Sequence, residues 1–390
     1  MKSEWKNCTL GDCLKIIKTS VIPQEGIIYS CFSLPAFDNF QTPEVLDGKD
    51  IKSSKFVLTE NTILFNKLNP KFRRVWNIHS LSQIRNPISS TEFLLLKVNE
   101  DVCQDFLYYY ICSPSFTALM NGIKTGTSSS QQRIDWRLFL RQPIYLPPLP
   151  IQHSIAQILK AIDEKIAINR AIHDNLEQQA QALYLEWFTS RLGEYAEQYR
   201  KVSLADLMNY AGGSQPPASE FISEQRDGYV RFVQIRDYES NSHITYIPVS
   251  SKNKLCEEHD IMIARYGAAL GRICFGLNGA YNVALAKVFP RQKYYREFLR
   301  CYLSSREFYE GINNKGGRSA QAGFNQSDIR SFDLFIPIDE TAIQSFESLA
   351  APIFEKRLHI IKENQLLATL RDTLLPKLIS GELDVSAIEL

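Results

Sequence analysis

No run of eighteen apolar residues occurs in the chain, so no membrane-spanning helix is expected. Met1 to Lys6 are followed by no apolar core, and a secretion signal is not expected. The eight cysteines form no Cys-x-x-Cys pair; the nearest two are Cys8 and Cys13. That scatter points to reduced thiols in a cytoplasm and against zinc or any other metal. The six histidines show no metal-ligand spacing either. No glycine-rich phosphate loop follows a strand-like run, and Gly311 to Ser319 carries Gly317 where the essential lysine would stand. Charge excess is missing too. With 44 basic and 43 acidic residues the net charge is +1, which argues against a non-specific DNA-binding protein but permits local basic faces.

What is present is long helical periodicity. From Leu146-Pro147-Pro148-Leu149-Pro150-Ile151 to Trp187-Phe188, apolar residues recur at steps of three and four. Neither Gly nor Pro interrupts this stretch after Pro150, and the expected rod is about 57 Å long, ending near Arg191. A second stripe follows Ile336-Pro337 and includes Phe346, Leu349, Ile353, Ile360, Leu367, Leu370 and Leu374. Two series step by seven: Ile155, Ile162, Asn169, Leu176, Leu183, and Phe346, Ile353, Ile360, Leu367, Leu374. Matching heptads predict a coiled-coil seam, with plain bundle helices as the alternative. Pro376 is expected to shorten or kink the end of the second helix, and Gly381 to cap it.

The echo extends to the rest of the chain. Trp5-Lys6-Asn7-Cys8-Thr9-Leu10-Gly11-Asp12 and Tyr199-Arg200-Lys201-Val202-Ser203-Leu204-Ala205-Asp206 share one pattern. Ile134-Asp135 precedes Ile144-Tyr145-Leu146-Pro147 as Phe324-Asn325 precedes Leu334-Phe335-Ile336-Pro337. A repeat of this length indicates duplication of a whole unit, a globular domain followed by a long helix. Short strands mix with helices in both globular parts, so the fold class is mixed α/β (α+β). The expected boundaries are 1–147, a helix in 148–192, a second domain in 193–337 and a distal helix in 338–390.

The central string, through Gln152, Ile162-Asp163-Glu164-Lys165-Ile166, Ala182-Leu183 and Trp187-Phe188, resembles the central region of Type I restriction-modification specificity (S) subunits. Leu367 to Glu382 is similar to the distal region of that family, and Gly213-Ser214-Gln215-Pro216-Pro217 and Ile261 to Gly267 are similar to its second domain. The second helix departs from the pattern, since Ile336-Pro337-Ile338-Asp339-Glu340 lacks the double proline. The resemblance implies two target-recognition domains separated by two long antiparallel helices that form a coiled-coil-like spacer. Each domain would read half of a bipartite, asymmetric site in double-stranded DNA. The helices would dock methyltransferase (M) subunits, two per S chain, and the assembly would recruit restriction (R) subunits. It also implies that the chain is not an enzyme and binds no cofactor of its own, with S-adenosylmethionine on M and ATP and Mg on R.

Candidate DNA contacts are the loops that carry Arg, Lys, amides and hydroxyls. In the first domain these are Lys67, Asn69, Lys71, Arg73 and Arg74, then Lys124, Thr125 and Arg133. In the second they are Gln234, Arg236, Arg265, Tyr266, Lys315, Arg318 and Gln321. Lys71 and Lys315 suit phosphates better than bases, and the bland alternative for each residue is a solvated loop. Asn169, central in its stripe, is either solvated or a register-setting polar residue with Asn364 as partner. Asn69-Pro70-Lys71-Phe72 is one residue away from the Asn-Pro-Pro-aromatic motif of adenine methyltransferases. Two rival readings therefore stand beside the first: a stand-alone DNA adenine methyltransferase, and a coiled-coil scaffold without DNA specificity.

Overall fold

Phe93, Leu94, Leu95 and Leu96 are all buried, yet they serve two cores. Phe93 and Leu95 pack with Leu64 and Trp76, whereas Leu94 and Leu96 pack with Ile63, Phe65 and Phe106. This is the period-two alternation of a strand covered on both faces. The computed structural model describes residues 5–39, 41–69, 72–125, 132–239, 243–316 and 323–385. The chain divides into two units. Unit 1 comprises Met1–Ile166 with Leu366–Leu390, and unit 2 comprises Ala167–Gln365.

In unit 1, Lys6–Thr9 pairs antiparallel with Pro143–Leu146. A four-stranded sheet follows in the order Leu14–Ile17, Phe93–Val98, Thr62–Asn66, Val75–Ile78. Unit 2 repeats this plan. Tyr199–Ser203 pairs with Asp333–Pro337, and Met208–Gly212, Leu285–Pro290, Met262–Ala264 and Ile273–Cys274 form the matching sheet. All pairings in these four sheets are antiparallel. A further sheet in each unit contains one parallel pair, Ile28–Phe32 with Pro87–Ser89 and Tyr229–Val233 with Gly279–Tyr281. The caps repeat as well. Thr9 and Asp12 box one short helix, as Ser203 and Asp206 box its counterpart. Asp135 and Asn325 then cap a second pair of short helices. The sequence echo is thus a duplication of topology. The aromatic run after Cys103 forms two helices, Gln104–Cys112 and Pro114–Ile123, because Ser113 ends one and caps the next.

The first long helix is Leu149–Tyr184. Its start is fixed by buried Gln152, which accepts from Cys103 N–H and donates to the carbonyls of Asp101 and Pro147. The helical path continues beyond the expected end near Arg191, through a wide π turn at Leu185–Ser190 and a last turn at Arg191–Glu194. The second long helix is Thr341–Ile379. It opens four residues after Pro337, where Asp339 accepts from Thr341 N–H and replaces the double proline of the first copy.

The second helix continues through Pro376 to Ile379, contrary to the expected shortening. An interior proline costs roughly 3 kcal/mol. Leu375, Leu378 and Ile379 are buried around it, and each such side chain contributes about 1.5–3 kcal/mol, so burial wins. Ser380 N–H then bonds to the Pro376 carbonyl, and Gly381 takes φ +66° as the cap.

The buried stripe of the first helix runs Ile155, Leu159, Ile162, Ile166, Asn169, Ala180, Tyr184, Phe188. It contains steps of eleven, such as Ile155 to Ile166 and Asn169 to Ala180. Eleven residues over three turns give 3.67 per turn, close to the natural helix, whereas a strict heptad drifts about 20° each repeat. Leu176 and Leu183 consequently end up half-buried. Leu349 and Leu370, read from sequence as stripe residues, are exposed, as is Ile172 on the first helix.

Within each unit the two long helices run antiparallel. In unit 1, Asp163 pairs with Arg371 at 2.8 Å and accepts from Tyr109 OH at 2.9 Å. In unit 2, Glu177 pairs with Arg357 at 2.8 Å, and Asn169 donates to Glu363 at 2.9 Å and Asn364 at 3.0 Å. Asn169 is only 2% exposed, so it is a paired interior amide rather than a solvated one. Replacing it with isoleucine should destabilise unit 2 by about 1–2 kcal/mol, because Glu363 and Asn364 lose a buried donor. Adding Asn364→Leu should recover most of that loss. Chemical denaturation of both variants checks this, and an unchanged midpoint for the single variant would refute it.

Candidate nucleic-acid interface

Backbone pairing joins two of the predicted loops in unit 1. Asn69 N–H donates to the Gln132 carbonyl at 2.7 Å, and Ile134 N–H to the Lys67 carbonyl at 2.9 Å. Asn69 holds φ +54°, a left-handed turn that asparagine tolerates. Glu92, Arg133 and Lys18 all act on Lys67, and Glu92 bonds Arg133 at 2.9 Å. Burial, followed by the neighbouring cations, pushes the Lys67 ammonium below its usual range against the pull of Glu92. A phosphate oxygen there would relieve that repulsion.

Arg73 and Arg74 are held by the fold. Arg73 donates to the Cys112 carbonyl at 2.7 Å. Arg74 forms a two-pronged pair with Asp38 at 2.7 Å for each nitrogen. Lys124 is exposed on a short strand paired with Arg133–Ile134. Lys71, Arg318 and Gln321 lie outside the described residues, as do the side chains of Thr125 and Lys315.

In unit 2 the matching position is taken by Arg265 and Tyr266, directly after the strand Met262–Ala264. The Arg265 guanidinium lies 5.1 Å from the Tyr266 ring and 5.9 Å from Phe324. Among the described residues, no carboxylate lies within ion-pair distance of it. Two glycines make room for this pair. A Cβ on Gly212 would sit 2.4 Å from Arg265 Nη1, and one on Gly323 would sit 2.4 Å from the Tyr266 ring.

Around Arg265 the backbone knits several segments together. Arg265 N–H bonds to the Ala284 carbonyl, Ser214 N–H to that of Tyr281, and Asn282 N–H to that of Val233. Gln234, next to Val233, is therefore drawn toward the same place, while Arg236 sits in the following turn, 4.0 Å from Asp237. Asn282 completes the group, donating to Gln215 Oε1 at 2.6 Å and accepting from Ala284 N–H at 2.7 Å. Asn282 was not singled out from sequence, and Gln215 was named only within the family-like string Gly213 to Pro217. The available signal was an asparagine interrupting two strand-like runs, where its side chain forms a local turn.

The sequence model of the family described as "Type I restriction modification DNA specificity domain" matches residues 2–178. The Type I restriction enzyme HindI specificity subunit of Haemophilus influenzae is 22% identical, over 98% of this chain and 100% of its own length. The Type I restriction enzyme MjaIX specificity subunit of Methanocaldococcus jannaschii is 24% identical, over 78% of this chain and 75% of its own. Among solved structures, the S subunit of a Type I restriction-modification system from M. genitalium superposes with a TM-score of 0.61 at 15% identity, over 96% of both chains. That last similarity is one of fold.

Proposed function

We infer that the chain, similar along most of its length to Type I restriction enzyme specificity subunits, belongs to that family and provides the DNA sequence recognition of such a complex. Residues 1–147 and 193–337 act as target-recognition domains, and residues 148–192 and 338–390 as the helical regions that set their spacing. The chain itself does no catalysis. It works in the cytoplasm with two methyltransferase subunits, which hold S-adenosylmethionine, and with restriction subunits, which use ATP and Mg.

One observation carries this reading: the same sheet order presents different side chains at equivalent loops. Lys67 and Asn69 stand beside Gln132–Arg133 in unit 1, and Arg265 and Tyr266 stand beside Gly323 in unit 2. One frame with two reading chemistries suits two half-sites of unlike sequence. We assign Lys67, Lys71, Arg133 and Lys315 to phosphates. Asn69, Gln234, Arg265 and Tyr266 take base edges. Arg74, neutralised by Asp38, belongs to the framework.

Methylome sequencing of cells with and without the gene tests this. The expected result is methylated adenine in a bipartite motif with a fixed spacer. A second arm inserts seven residues after Ile166 and seven after Gln365. About 10 Å of added helix corresponds to about 3 base pairs at 3.4 Å each, so the native motif should go unmodified and any new motif should carry a longer spacer. An undivided motif, or an unchanged spacer in the insertion variant, would overturn the reading.

A further inference from the structure

Arg300 and Arg357 are buried in unit 2, with side chains 3% and 5% exposed. Their guanidiniums lie on the same two rings, Phe275 and Phe354, at 4.6–5.4 Å. Two like charges so placed face both desolvation and mutual repulsion. Each has a carboxylate, Glu297 for Arg300 at 2.6 Å and Glu177 for Arg357 at 2.8 Å. Neither guanidinium is thereby satisfied. Arg300 Nη1 and Arg357 Nε are buried with no hydrogen-bond partner among the described residues. Leaving such donors unmade is costly.

Both arginines line a cavity of about 340 Å³. Its wall also holds Tyr238 OH and His173 Nε2, again buried and without a partner among the described residues. Burial, followed by the Arg357 charge, pushes the His173 imidazole below its usual range. Besides Glu177, the wall carries Asp237: burial pushes its carboxyl up, and its Oδ1 is likewise buried without a hydrogen-bond partner among the described residues. Five buried polar groups with spare capacity therefore line a space of ligand size: Arg300, Arg357 and Tyr238 offer donors, and Glu177 on the same wall is already paired with Arg357.

We propose that this cavity binds the phosphate group of a small molecule, with Arg300 and Arg357 as the anion-holding pair and Tyr238 as a further donor. The remaining volume, flanked by Phe275 and Ile361, accepts an organic body. This site is separate from the Arg265 group assigned to DNA.

Titration calorimetry of the full-length chain at constant ionic strength tests the assignment, with inorganic phosphate and ribose 5-phosphate as probes and chloride as control. Saturable binding is expected with Kd of about 1 mM or tighter. Tighter binding of the ester identifies an esterified ligand; equal binding identifies the free anion. Arg357→Gln should weaken binding at least about tenfold. Tyr238→Phe, which removes one hydroxyl and keeps the ring, should weaken it roughly threefold to tenfold. If Arg357→Gln does not fold, Tyr238→Phe decides. No saturable heat from either probe up to about 20 Kd of the expected value, or undiminished affinity in the folded variants, would overturn the proposal.

Discussion

Arg265→Ala should weaken binding of the target duplex by the assembled methyltransferase–specificity complex about tenfold to a hundredfold, the equivalent of roughly 1–3 kcal/mol for one base-reading arginine. The fold should survive. Among the described residues the Arg265 side chain makes one long bond, 3.4 Å to the Val283 carbonyl, and otherwise rests on Tyr266 and Phe324. Its position is prepared from outside, since the missing side chain of Gly212 leaves the space that Nη1 fills. A guanidinium aimed by stacking, without a carboxylate partner among the described residues, is ready to meet a base without first breaking an ion pair. Electrophoretic mobility shifts with the native site and with a site altered in one half should separate the effects. Specificity should relax in one half-site only. Uniform weakening across all sequences would identify Arg265 as a phosphate contact, and unchanged binding would remove it from the interface.

Phe346→Ala should cost about 3–5 kcal/mol of unit 2 stability. Phe346 is fully buried on the second long helix, with the rings of Tyr184, Trp187 and Phe188 from the first at 6.2, 6.3 and 5.2 Å. It also belongs to the large core with Phe298, Phe308 and Ile343. Removing it opens a cavity that rigid aromatic neighbours fill poorly. For a unit of this size each kcal/mol lowers Tm by about 2–4 °C, so a fall on the order of 10 °C is expected by calorimetry. Because the same ring fastens both helices to the sheet unit, DNA recognition should fail with it. A Tm within about 2 °C of the parent would show that the core closes over the gap.

The duplication was legible in the sequence because caps and turns are local. Thr9 with Asp12, Ser203 with Asp206, and Asp135 against Asn325 each act within four residues. The long helices were legible for the same reason. What the sequence hid depends on distance. The partner of Arg74 is Asp38, and that of Arg357 is Glu177, 180 positions away. No pattern separates a cation tied to the frame from one left available, so Arg74 and Arg265 looked alike. Leu176 and Leu183, on the heptad series, are half-buried, and Leu183 packs against the unit 2 core; seven residues fall short of two full turns, and the small difference accumulates along five repeats. The arginine-lined cavity of unit 2 gave no sign in advance, since Arg300, Arg357 and Tyr238 come from three separate elements.

Unit 1 is assembled from both ends of the polypeptide: its core takes Ile155 and Leu159 from the early part and Leu375, Leu378 and Ile379 from residues beyond unit 2. On the ribosome, the first-made segment must therefore wait while some 200 further residues are synthesised, on the order of 10–40 s at about 5–20 residues per second. Unit 2, continuous in sequence, has all its pieces before its elder neighbour does. The nascent first half spends that interval with part of its apolar surface uncovered, and that window is when chaperone capture or aggregation competes with folding.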